Sequence, residues 1–536
     1  MKYDAIVVGG GIAGLTSAAF LAKAGKSVIL FEQQYKTGGL VQTFERNGVY
    51  FDGGLRSIEN SGIVLPMLKQ LGIDIDFQKS NVSIGIADQI IQLRDKSSVA
   101  EYEDFLNVQF PENTKDISAI IGEIKKIMGY MDVLYGIDNP AFLDFKKDQK
   151  YFLQVIFPWM FKFLMTVRKI DRLNEPVDDY IRRFTRNQSL VDIIAQHFFQ
   201  KTPTSFALSY FSLYLDYYYP KGGTATLIDK MTEFIEMNGG VIKTSVKIGQ
   251  VQPELKYVSD SEGNRTEYND LIWAGDLKQL YNSLPLDDLF DQNLVQNVRD
   301  KQASLKDLRG GDSVFTTYLT IDEQKEYFSE ICTGHLFYTP NKSGLSVVNY
   351  DDIDAFLKMK TVQPDNEILK NKVKAYLKDY FHYNTFEIAI PVLRDPDLAP
   401  EGKVGLVVSL LFDYRLAKKI DEFGWTVEMK DYMEQLSIEE LDQSIFPGLR
   451  EKVSGQFSSS PLTIERLTGN TEGGITGWAF TNPYNPAVTK TLKVNQSVNT
   501  FIPSVYQAGQ WTYSPSGLPI AILTGKLAAD KVLKNG

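Results

Sequence analysis

The stretch that decides the fold is Asp4-Ala-Ile-Val-Val-Gly-Gly-Gly-Ile-Ala-Gly14, which runs directly into a helical pattern. Its first half is short, apolar and β-branched, as in a buried parallel strand. Its second half has the spacing GxGxxG at Gly9, Gly11 and Gly14. A second strand pattern follows at residues 27–32 and ends in an acid. Strand, glycine loop, helix and second strand together predict a βαβ unit that binds a dinucleotide.

Each position in this loop has a physical task. Gly9 permits the tight turn, Gly11 lets the backbone approach a pyrophosphate, and Gly14 lets the helix pack close to the strand. Ile12 and Ala13 begin the helix, whose first N–H groups have no intrahelical partner and attract an anion. We therefore expect all five residues to contact the cofactor.

The acid at the end of the second strand is Glu32, followed by Gln33. A carboxylate at this distance from the glycine loop accepts hydrogen bonds from ribose hydroxyls. Its charge would repel a 2′-phosphate, so a cofactor without that group is favoured. Gln33 is expected beside the same ribose.

A second glycine pair, Gly38-Gly39, follows Glu32 and precedes the run Phe51-Asp-Gly-Gly54. In this order the segments resemble the flavin-containing superfamily of amine oxidases, protoporphyrinogen oxidase and carotenoid desaturases. The resemblance implies FAD, with the glycine pair beside the pyrophosphate and the Phe51–Gly54 run beside the flavin. An ordinary loop is the alternative interpretation of Gly38-Gly39.

Distant segments carry the same resemblance, at residues 219–224, 239–248, 270–276 and 505–519. Residues 239–248 are similar to the strand that contacts adenine, and residues 270–276 to the segment that returns the chain to the nucleotide-binding sheet. Residues 505–519 are similar to the segment before a final helix that faces the flavin pyrimidine. Many family members carry an acid where Gln510 stands; its carbonyl oxygen can still accept a hydrogen bond. The further cofactor contacts implied are Leu40, Gly54, Leu55, Arg56, Val246, Ala274, Gly275, Gly509, Gln510, Gly517 and Leu518.

Within the superfamily, residues 220–223, 460–478 and 508–519 look most like the branch of phytoene desaturases, carotenoid isomerases and retinol saturases. This resemblance implies an FAD-dependent oxidoreductase acting on C–C or C=C bonds of a long apolar polyene or isoprenoid-like substrate. A reduced-flavin isomerase or saturase, and an amine or amino-acid oxidase, remain open alternatives. A flavin-free scaffold for prenylated partners is disfavoured, because the phosphate-binding glycines are intact.

The residues expected nearest the isoalloxazine are Arg56, Trp478, Trp511, Tyr513 and the Ser514–Gly517 loop, and the catalytic candidates among them are Arg56, Trp478 and Tyr513. Arg56 would stabilise a reduced flavin or bind a substrate carboxylate, or else pair with Glu59 or Asp52. No residue is singled out as a general base. Only one complete strand–GxGxxG–helix unit is visible, so electrons are expected to pass to or from an external partner: oxygen, a quinone or a reductase.

The composition agrees with a reactive centre that is a cofactor. The 536 residues include one cysteine and three histidines, which excludes a disulfide within the chain and leaves no metal site predicted. The formal charge of -10 argues against a nucleic-acid partner. The chain enters a strand pattern at Tyr3, which favours a cytoplasmic protein. Its oligomeric state stays open.

The spacing of the cofactor segments predicts an α/β fold with a discontinuous Rossmann-like domain. That FAD-binding domain is assigned to residues 1–75, 215–290 and 485–536. A helical, lid-like insert is assigned to 76–214, and a substrate domain with a mixed sheet to 291–484.

The helical insert contains an aromatic, apolar stretch with a basic surround. Residues 146–172 carry seven Lys or Arg against two Asp. This pattern is typical of a helix lying on a membrane surface, and equally of a core-packed helix with a solvated basic rim. The protein is thus expected in the cytoplasm, and peripheral contact with a membrane stays an open alternative.

A second aromatic run, at residues 206–219, leads toward the predicted flavin. It either lines an apolar channel for a long substrate or packs into the core.

Overall fold

The first sheet gathers strands from three separate parts of the chain. The computed structural model describes residues 2–144, 146–360 and 366–535. In spatial order this sheet is β10-β2-β1-β13-β12-β11, with β19 also paired to β13. The strands are β1 (Lys2–Val8), β2 (Val28–Phe31), β10 (Val241–Lys243), β11 (Ile248–Gln252), β12 (Tyr257–Asp260), β13 (Arg265–Trp273) and β19 (Val505–Gln507).

The nucleotide-binding half of this sheet is parallel and buried. Strand β1 lies between β2 and β13, parallel to both, and β19 extends the parallel set. Helices α1 (Ile12–Lys23) and α21 (Leu518–Asn535) pack together against it. Their approach is close, because a Cβ on Gly525 would lie 2.4 Å from the Ala13 carbonyl oxygen. The two ends of the chain therefore form one layer over the sheet.

The second sheet is mixed and lies over the first unit. Its order is β18-β14-β17-β16-β15-β7-β8, and β15 with β7 is its parallel pair. Helices α16 (Glu367–Tyr383) and α18 (Thr426–Asp442) share its core. The strands are β7 (Val82–Ile86), β8 (Gln89–Leu93), β14 (Ser313–Ile321), β15 (His335–Thr339), β16 (Phe386–Ala389), β17 (Val404–Phe412) and β18 (Val453–Ser459).

Two small sheets connect these layers. One is the hairpin of β3 (Thr43–Arg46) and β4 (Val49–Asp52). The other places β9 (Tyr217–Pro220) between β5 (Ile58–Glu59) and β6 (Phe77–Lys79). The aromatic run therefore ends in a strand beside the segment that follows Gly54.

The remaining helices surround the sheets. They are α2 (Val64–Leu71), α3 (Ser98–Gln109), α4 (Thr114–Tyr135), α5 (Gln149–Tyr151), α6 (Phe157–Ile170), α7 (Val177–Ile181), α8 (Gln188–Ala195), α9 (Thr204–Ala207), α10 (Tyr210–Leu213), α11 (Thr226–Met237), α12 (Leu277–Asn282), α13 (Gln292–Leu305), α14 (Lys325–Ser329), α15 (Asp351–Lys358), α17 (Tyr414–Glu422), α19 (Leu449–Lys452) and α20 (Pro461–Thr468). Within the described chain, no helix combines the length and the apolar character needed to cross a bilayer.

The predicted α/β class, with a Rossmann-like unit and a mixed sheet, is confirmed. The insert at 76–214 is not wholly helical, because its residues also form strands β7 and β8 of the second sheet. Strand β7 is buried along its whole length, so pairing with β15 lets it bury both faces. The domain boundaries themselves stay a prediction.

Candidate functional site

The glycine loop forms an open backbone turn at the end of β1. Gly9 has φ +105°, and a Cβ there would lie 3.0 Å from the Ala274 carbonyl. A Cβ on Gly14 would lie 1.9 Å from the Gly9 oxygen. By contrast, a Cβ on Gly11 would meet nothing within 4 Å. Gly9 and Gly14 are thus required for packing, and Gly11 faces open space.

Helix α1 begins at this open space without a side-chain cap. Gly11 is its N-cap and supplies no capping hydrogen bond. The first N–H groups of a helix have no intrahelical acceptor. Ile12 and Ala13, at 7% and 5% exposure, therefore present backbone donors rather than side chains to a ligand. This arrangement suits a pyrophosphate.

The second glycine pair lies against the first loop. Gly38 donates its N–H to the Gly10 oxygen at 2.8 Å. A Cβ on Gly39 would lie 3.3 Å from the Gly11 Cα, and Gly39 has φ +59°. The structure thus brings together two loops that the sequence separates by 27 residues.

The next predicted contacts extend from this pair toward the second sheet. Leu40 accepts a hydrogen bond from the Leu55 N–H at 2.9 Å. A Cβ on Gly54 would lie 2.1 Å from the Leu40 oxygen, so only glycine fits there. These residues form one continuous backbone edge.

Glu32 lies beside the loop with both carboxylate oxygens engaged. One oxygen accepts from the Gly10 N–H at 2.7 Å and the other from the Gln34 N–H at 2.8 Å. Burial raises its pKa, and these backbone donors oppose that rise. A carboxylate has further lone pairs, so ribose hydroxyls can still bind.

The other two residues predicted on this side differ in what they contact. The Val246 N–H donates to the Glu32 carbonyl oxygen at 2.9 Å, which places Val246 next to the ribose acid. Gln33 instead lies against Gly469, where a Cβ would come within 2.8 Å of its Nε2. The packing therefore gives Val246 the more direct access to a nucleotide.

The C-terminal segment returns to the same loop. The Ala508 N–H donates to the Trp273 oxygen at 2.9 Å, and this link carries Gly509 toward α1. A Cβ on Gly509 would lie 3.4 Å from the Ala13 Cβ and 3.8 Å from the Ala274 oxygen. Gly275 follows Ala274 on this edge, against the Trp273 ring.

Gln510 and the start of α21 follow. The Gln510 Nε2 donates to the Gly474 oxygen at 3.4 Å, which leaves its carbonyl oxygen free for a ligand. Gly517 precedes Leu518, the first residue of α21. The first turns of α1 and α21 thus belong to one layer, and the first N–H groups of each helix have no intrahelical acceptor.

Arg56 is held by neutral groups. Its Nη1 donates to the Asp52 carbonyl oxygen and its Nη2 to the Ser409 Oγ at 2.7 Å. Ser409 is linked in turn to Thr316 at 2.8 Å. The expected pairing with the carboxylate of Asp52 or Glu59 does not form. Arg56 thus fixes the turn after β4 to strand β17 of the second sheet.

The charge partner of Asp52 is a residue that the sequence did not single out, Arg394. Its Nη2 lies 3.6 Å from the Asp52 carboxylate, and its guanidinium stacks on the Tyr219 ring at 3.9 Å. Arg394 Nη1 also donates to the Arg56 oxygen at 2.5 Å. Asp52 further accepts the Tyr219 hydroxyl at 2.8 Å. This buried pair ties the glycine-rich edge to the second sheet.

Trp478 and Tyr513, the other predicted catalytic residues, occupy different settings. Trp478 is fully buried; its Nε1 donates to the Trp511 oxygen at 3.0 Å and its ring packs against Trp511. Tyr513 is 7% exposed, with its hydroxyl 3.5 Å from the Thr491 Oγ1. Both side chains are thus buried, Trp478 against Trp511 and Tyr513 beside Thr491. Both catalytic assignments stay predictions.

A further polar group that sequence reasoning missed is the pair His335 and Glu387. The His335 Nε2 lies 3.0 Å from the Glu387 Oε1, and its Nδ1 lies 3.0 Å from the Ser57 Oγ. Glu387 is deep in the protein, yet 36% of its side chain is accessible, so it borders an internal cavity. Burial alone would raise the pKa of Glu387; His335, Arg56 and Arg394 outweigh it and lower that pKa.

The other sulfur and imidazole groups are inert. Burial raises the pKa of Cys332 to about 12, so no thiolate forms at neutral pH. Burial lowers the pKa of His197 to about 4, and its ring lies beside Phe198 and Phe337. His197 therefore lies among apolar rings and stays neutral at physiological pH.

The aromatic run combines both predicted roles. Phe206, Tyr210, Tyr214 and Tyr217 form a chain of edge-to-face rings with centroids 5.4–5.8 Å apart. Tyr214 and Tyr217 are buried, whereas Phe206 and Tyr210 keep accessible surface. The run thus packs partly into the core, while Phe206 and Tyr210 stay partly accessible.

Comparison with known proteins supports the same architecture. Residues 7–71 match the NAD(P)-binding Rossmann-like domain family. Along 99% of its length the chain is 24% identical to all-trans-retinol 13,14-reductase of Danio rerio, covering 86% of that protein. It is 20% identical to a 4,4′-diapophytoene desaturase of Staphylococcus aureus, covering 99% of the chain and 98% of the relative. It is 22% identical to prolycopene isomerase of Daucus carota, covering 99% and 80%.

The chain is a relative of the phytoene desaturases, carotenoid isomerases and retinol saturases. Among solved structures, the fold is similar to cyclohexylamine oxidase from Brevibacterium oxydans, with TM-score 0.59, 12% identity, and 100% and 99% of the two chains covered. This relative of the desaturases thus has the fold of the flavin amine oxidase superfamily. The family match and these relatives imply a flavin or nucleotide cofactor.

Proposed function

We propose that this protein is an FAD-dependent oxidoreductase that acts on C–C or C=C bonds of a long apolar polyene or isoprenoid-like substrate. The observation that carries the proposal is the open backbone cradle formed by Gly11, Gly39 and Gly509. It is bordered by backbone instead of side chains, as a bulky pyrophosphate requires. Bound FAD supplies the redox chemistry, since it accepts or donates a hydride.

FAD is favoured over NAD because the cradle has more parts than one βαβ unit. The Gly38-Gly39 loop closes over Gly11, and the segment before α21 returns to α1. A cofactor that ends at a nicotinamide would contact neither the Gly38-Gly39 loop nor the segment before α21. Acid release of the bound cofactor followed by chromatography tests this directly: FAD supports the proposal, and NAD or no nucleotide contradicts it.

The substrate class follows from the relatives and from the interior. Their names specify retinol, diapophytoene and prolycopene. In this chain, Phe206 and Tyr210 turn partly toward internal space, and tyrosine combines apolar area with a hydroxyl that can orient a ligand. A long apolar molecule with few polar groups suits such a lining.

The external electron partner belongs to the same proposal. The described chain offers one strand–glycine loop–helix unit of this kind, at β1 and α1, so a nicotinamide domain of its own is not expected. Oxygen, a quinone or a separate reductase would then complete the cycle.

The direction of the reaction is decided by prereduction. Holoprotein is mixed with a polyene before and after treatment with dithionite, and products are separated by chromatography. Activity of the oxidised protein that is lost on prereduction supports desaturation. Activity that needs prereduction supports the saturase or isomerase alternative, and no conversion in either state contradicts both.

We further propose that α6 lies on a membrane surface. Six large apolar side chains of α6 and the turn before it are between 41% and 74% exposed, which favours a surface contact over core packing for this face. We call them the α6 apolar face: Leu153, Phe157, Met160, Phe161, Leu164 and Met165. Seven Lys or Arg within residues 146–172 surround it. Apolar side chains bordered by cations suit an anionic lipid surface.

Removing the two most protruding rings should release the protein from lipid. The Phe157→Ser, Phe161→Ser double variant replaces side chains that are 71% and 74% exposed, so folding and FAD content should not change. Burying both rings contributes about 3–6 kcal/mol on the usual area scale, so cosedimentation with phosphatidylglycerol vesicles should fall at least about 10-fold.

A matched control is Ile368→Ser with Val427→Ser, which removes apolar side chains that are 77% and 75% exposed on other helices. That control should bind vesicles as the wild type does. Equal binding by the α6 variant and the wild type would contradict the proposed membrane contact.

A further inference from the structure

An unpaired carboxylate, Glu59, lies beside the flavin end of the cradle. Glu59 is on β5 and pairs with Tyr217 of β9. A Cβ on Gly517 would lie 3.1 Å from the Glu59 Oε1. Gly517 directly precedes α21, the helix proposed to face the flavin pyrimidine. Glu59 is therefore positioned where the redox-active ring would end.

Glu59 faces internal space. Protein surrounds it on all sides, yet it keeps accessible surface. Within the described residues its carboxylate has no hydrogen bond or ion pair, and the only charge acting on it is that of Asp216, which repels it. An unpaired buried carboxylate costs folding free energy, so its presence points to a role toward a ligand.

Three tyrosines lie near Glu59 and border the same internal space. Tyr135, Tyr210 and Tyr217 lie deep in the protein and feel the Glu59 charge. Burial raises the pKa of all three, so their hydroxyls stay protonated. No hydrogen-bond acceptor for these hydroxyls occurs in the described chain. They can therefore orient a substrate without competing for its proton.

Glu387 and Glu59 both border internal space, and their surroundings shift their pKa values in opposite directions. His335 and two arginines keep Glu387 ionised by lowering its pKa. Burial, followed by the Asp216 charge, raises the pKa of Glu59 to about 7. One acid is thus fixed as an anion, and the other exchanges its proton near neutral pH. Such a separation identifies the acid–base group of a site.

Resting on the proposed function, we propose that Glu59 is the catalytic residue that exchanges a proton with the substrate carbon adjacent to the one that exchanges a hydride. In reduction, the π bond breaks and two C–H bonds form, one from a hydride given by reduced flavin and one from the Glu59 proton. The flavin is then reduced again by an external two-electron donor, and Glu59 is reprotonated from water. In desaturation the same atoms move in reverse, and Glu59 accepts the proton.

The pH dependence has a defined sign in each direction. Reduction needs the protonated acid, so its rate falls as pH rises through about 7. Desaturation needs the carboxylate, so its rate falls as pH drops through the same value. The charged and titratable groups facing Glu59 from the packed elements are Asp216, Tyr135, Tyr210 and Tyr217, with Lys79 acting on Asp216.

The decisive variant is Glu59→Gln in the holoprotein, compared with Glu59→Asp. Glutamine keeps the shape but cannot transfer a proton, so kcat should fall at least about 100-fold while KM and FAD content stay near wild type. The change of rate near pH 7 should disappear from the pH profile of this variant. The Glu59→Asp variant keeps a carboxyl group, so it should restore part of kcat together with the change of rate near pH 7.

A readout without turnover follows the proton itself. Infrared titration of the wild type should lose a protonated-carboxyl C=O stretch with a midpoint near pH 7, and Glu59→Gln should lack that band. Asp216→Asn removes the repelling charge, and its amide oxygen can still accept the Ser61 N–H. Its midpoint and its rate limb should both move to lower pH.

The outcomes separate the two proposals. A wild type that converts no polyene overturns the proposed function and this role together. An active wild type with an equally active Glu59→Gln variant, or one whose pH limb persists, overturns the role of Glu59 alone. Absence of the titrating infrared band does the same.

Discussion

Replacing Gly11 with valine is expected to abolish FAD binding and leave the fold intact. Gly11 has φ -70° and ψ 174°, an extended conformation that valine adopts freely. Its Cβ would meet no protein atom within 4 Å, so the added methyl groups occupy the space reserved for the pyrophosphate. The variant should elute without flavin absorbance and stay colourless after incubation with FAD, with a circular dichroism spectrum like that of the wild type.

Gly122→Val is the matched control, because Gly122 also has open space around its Cβ and lies exposed on α4, away from the cradle. It should bind FAD as the wild type does. A Gly11→Val protein that retains stoichiometric FAD would contradict the placement of the pyrophosphate.

Replacing Asp52 with alanine should lower the free energy of unfolding by about 3–5 kcal/mol. The carboxylate is fully buried and accepts hydrogen bonds from Thr43, Tyr219 and Thr224 at 2.8–3.0 Å. Its removal leaves those donors unpaired and leaves the buried Arg394 guanidinium without its counter-charge. The midpoint of urea unfolding, followed by circular dichroism, measures the effect.

Asp397→Ala provides the comparison on the surface. Asp397 pairs with Lys221 at 3.3 Å while 76% of its side chain is exposed, so its loss should cost less than about 1 kcal/mol. Equal midpoints for the Asp52 and Asp397 variants would show that the buried pair does not hold the cradle to the second sheet.

Local sequence patterns predicted the nucleotide-binding unit well, for a physical reason. A βαβ unit is built largely from contacts between near neighbours, so the close approach of Gly14 to the Gly9 oxygen is encoded within the eleven residues from Asp4 to Gly14. The continuous apolar run Val404–Phe412 likewise indicates a strand, β17, because such a run is buried on both faces. The α/β class followed from these units.

The polar groups of the interior could not be predicted in the same way. Arg394 meets Asp52 across 342 residues, and His335 meets Glu387 across 52, on antiparallel strands whose register no local pattern encodes. His335 stands in no motif that would mark it from the sequence. Glu59 was considered solely as a partner for Arg56, although the fold directs the Arg56 guanidinium to Ser409 instead.

Trp478 shows the opposite difficulty. A tryptophan in a glycine-rich segment near the C-terminus suggested contact with the flavin, whereas its side chain is sealed under Trp511. The exposure of a side chain depends on the packing of all the elements around it, and a sequence motif does not encode that packing. Its catalytic role stays a prediction, as does that of Tyr513.

The central claim is that a bound flavin exchanges electrons with a polyene. Its most direct test is an anaerobic half-reaction of the holoprotein, with flavin absorbance recorded after mixing with polyenes and, separately, with amines. The account predicts that polyene substrates bleach the oxidised flavin, or recolour the reduced one, in proportion to product formed, and that amines do neither. A flavin that is silent toward every polyene but is bleached by an amine, with hydrogen peroxide released on admission of oxygen, would contradict it.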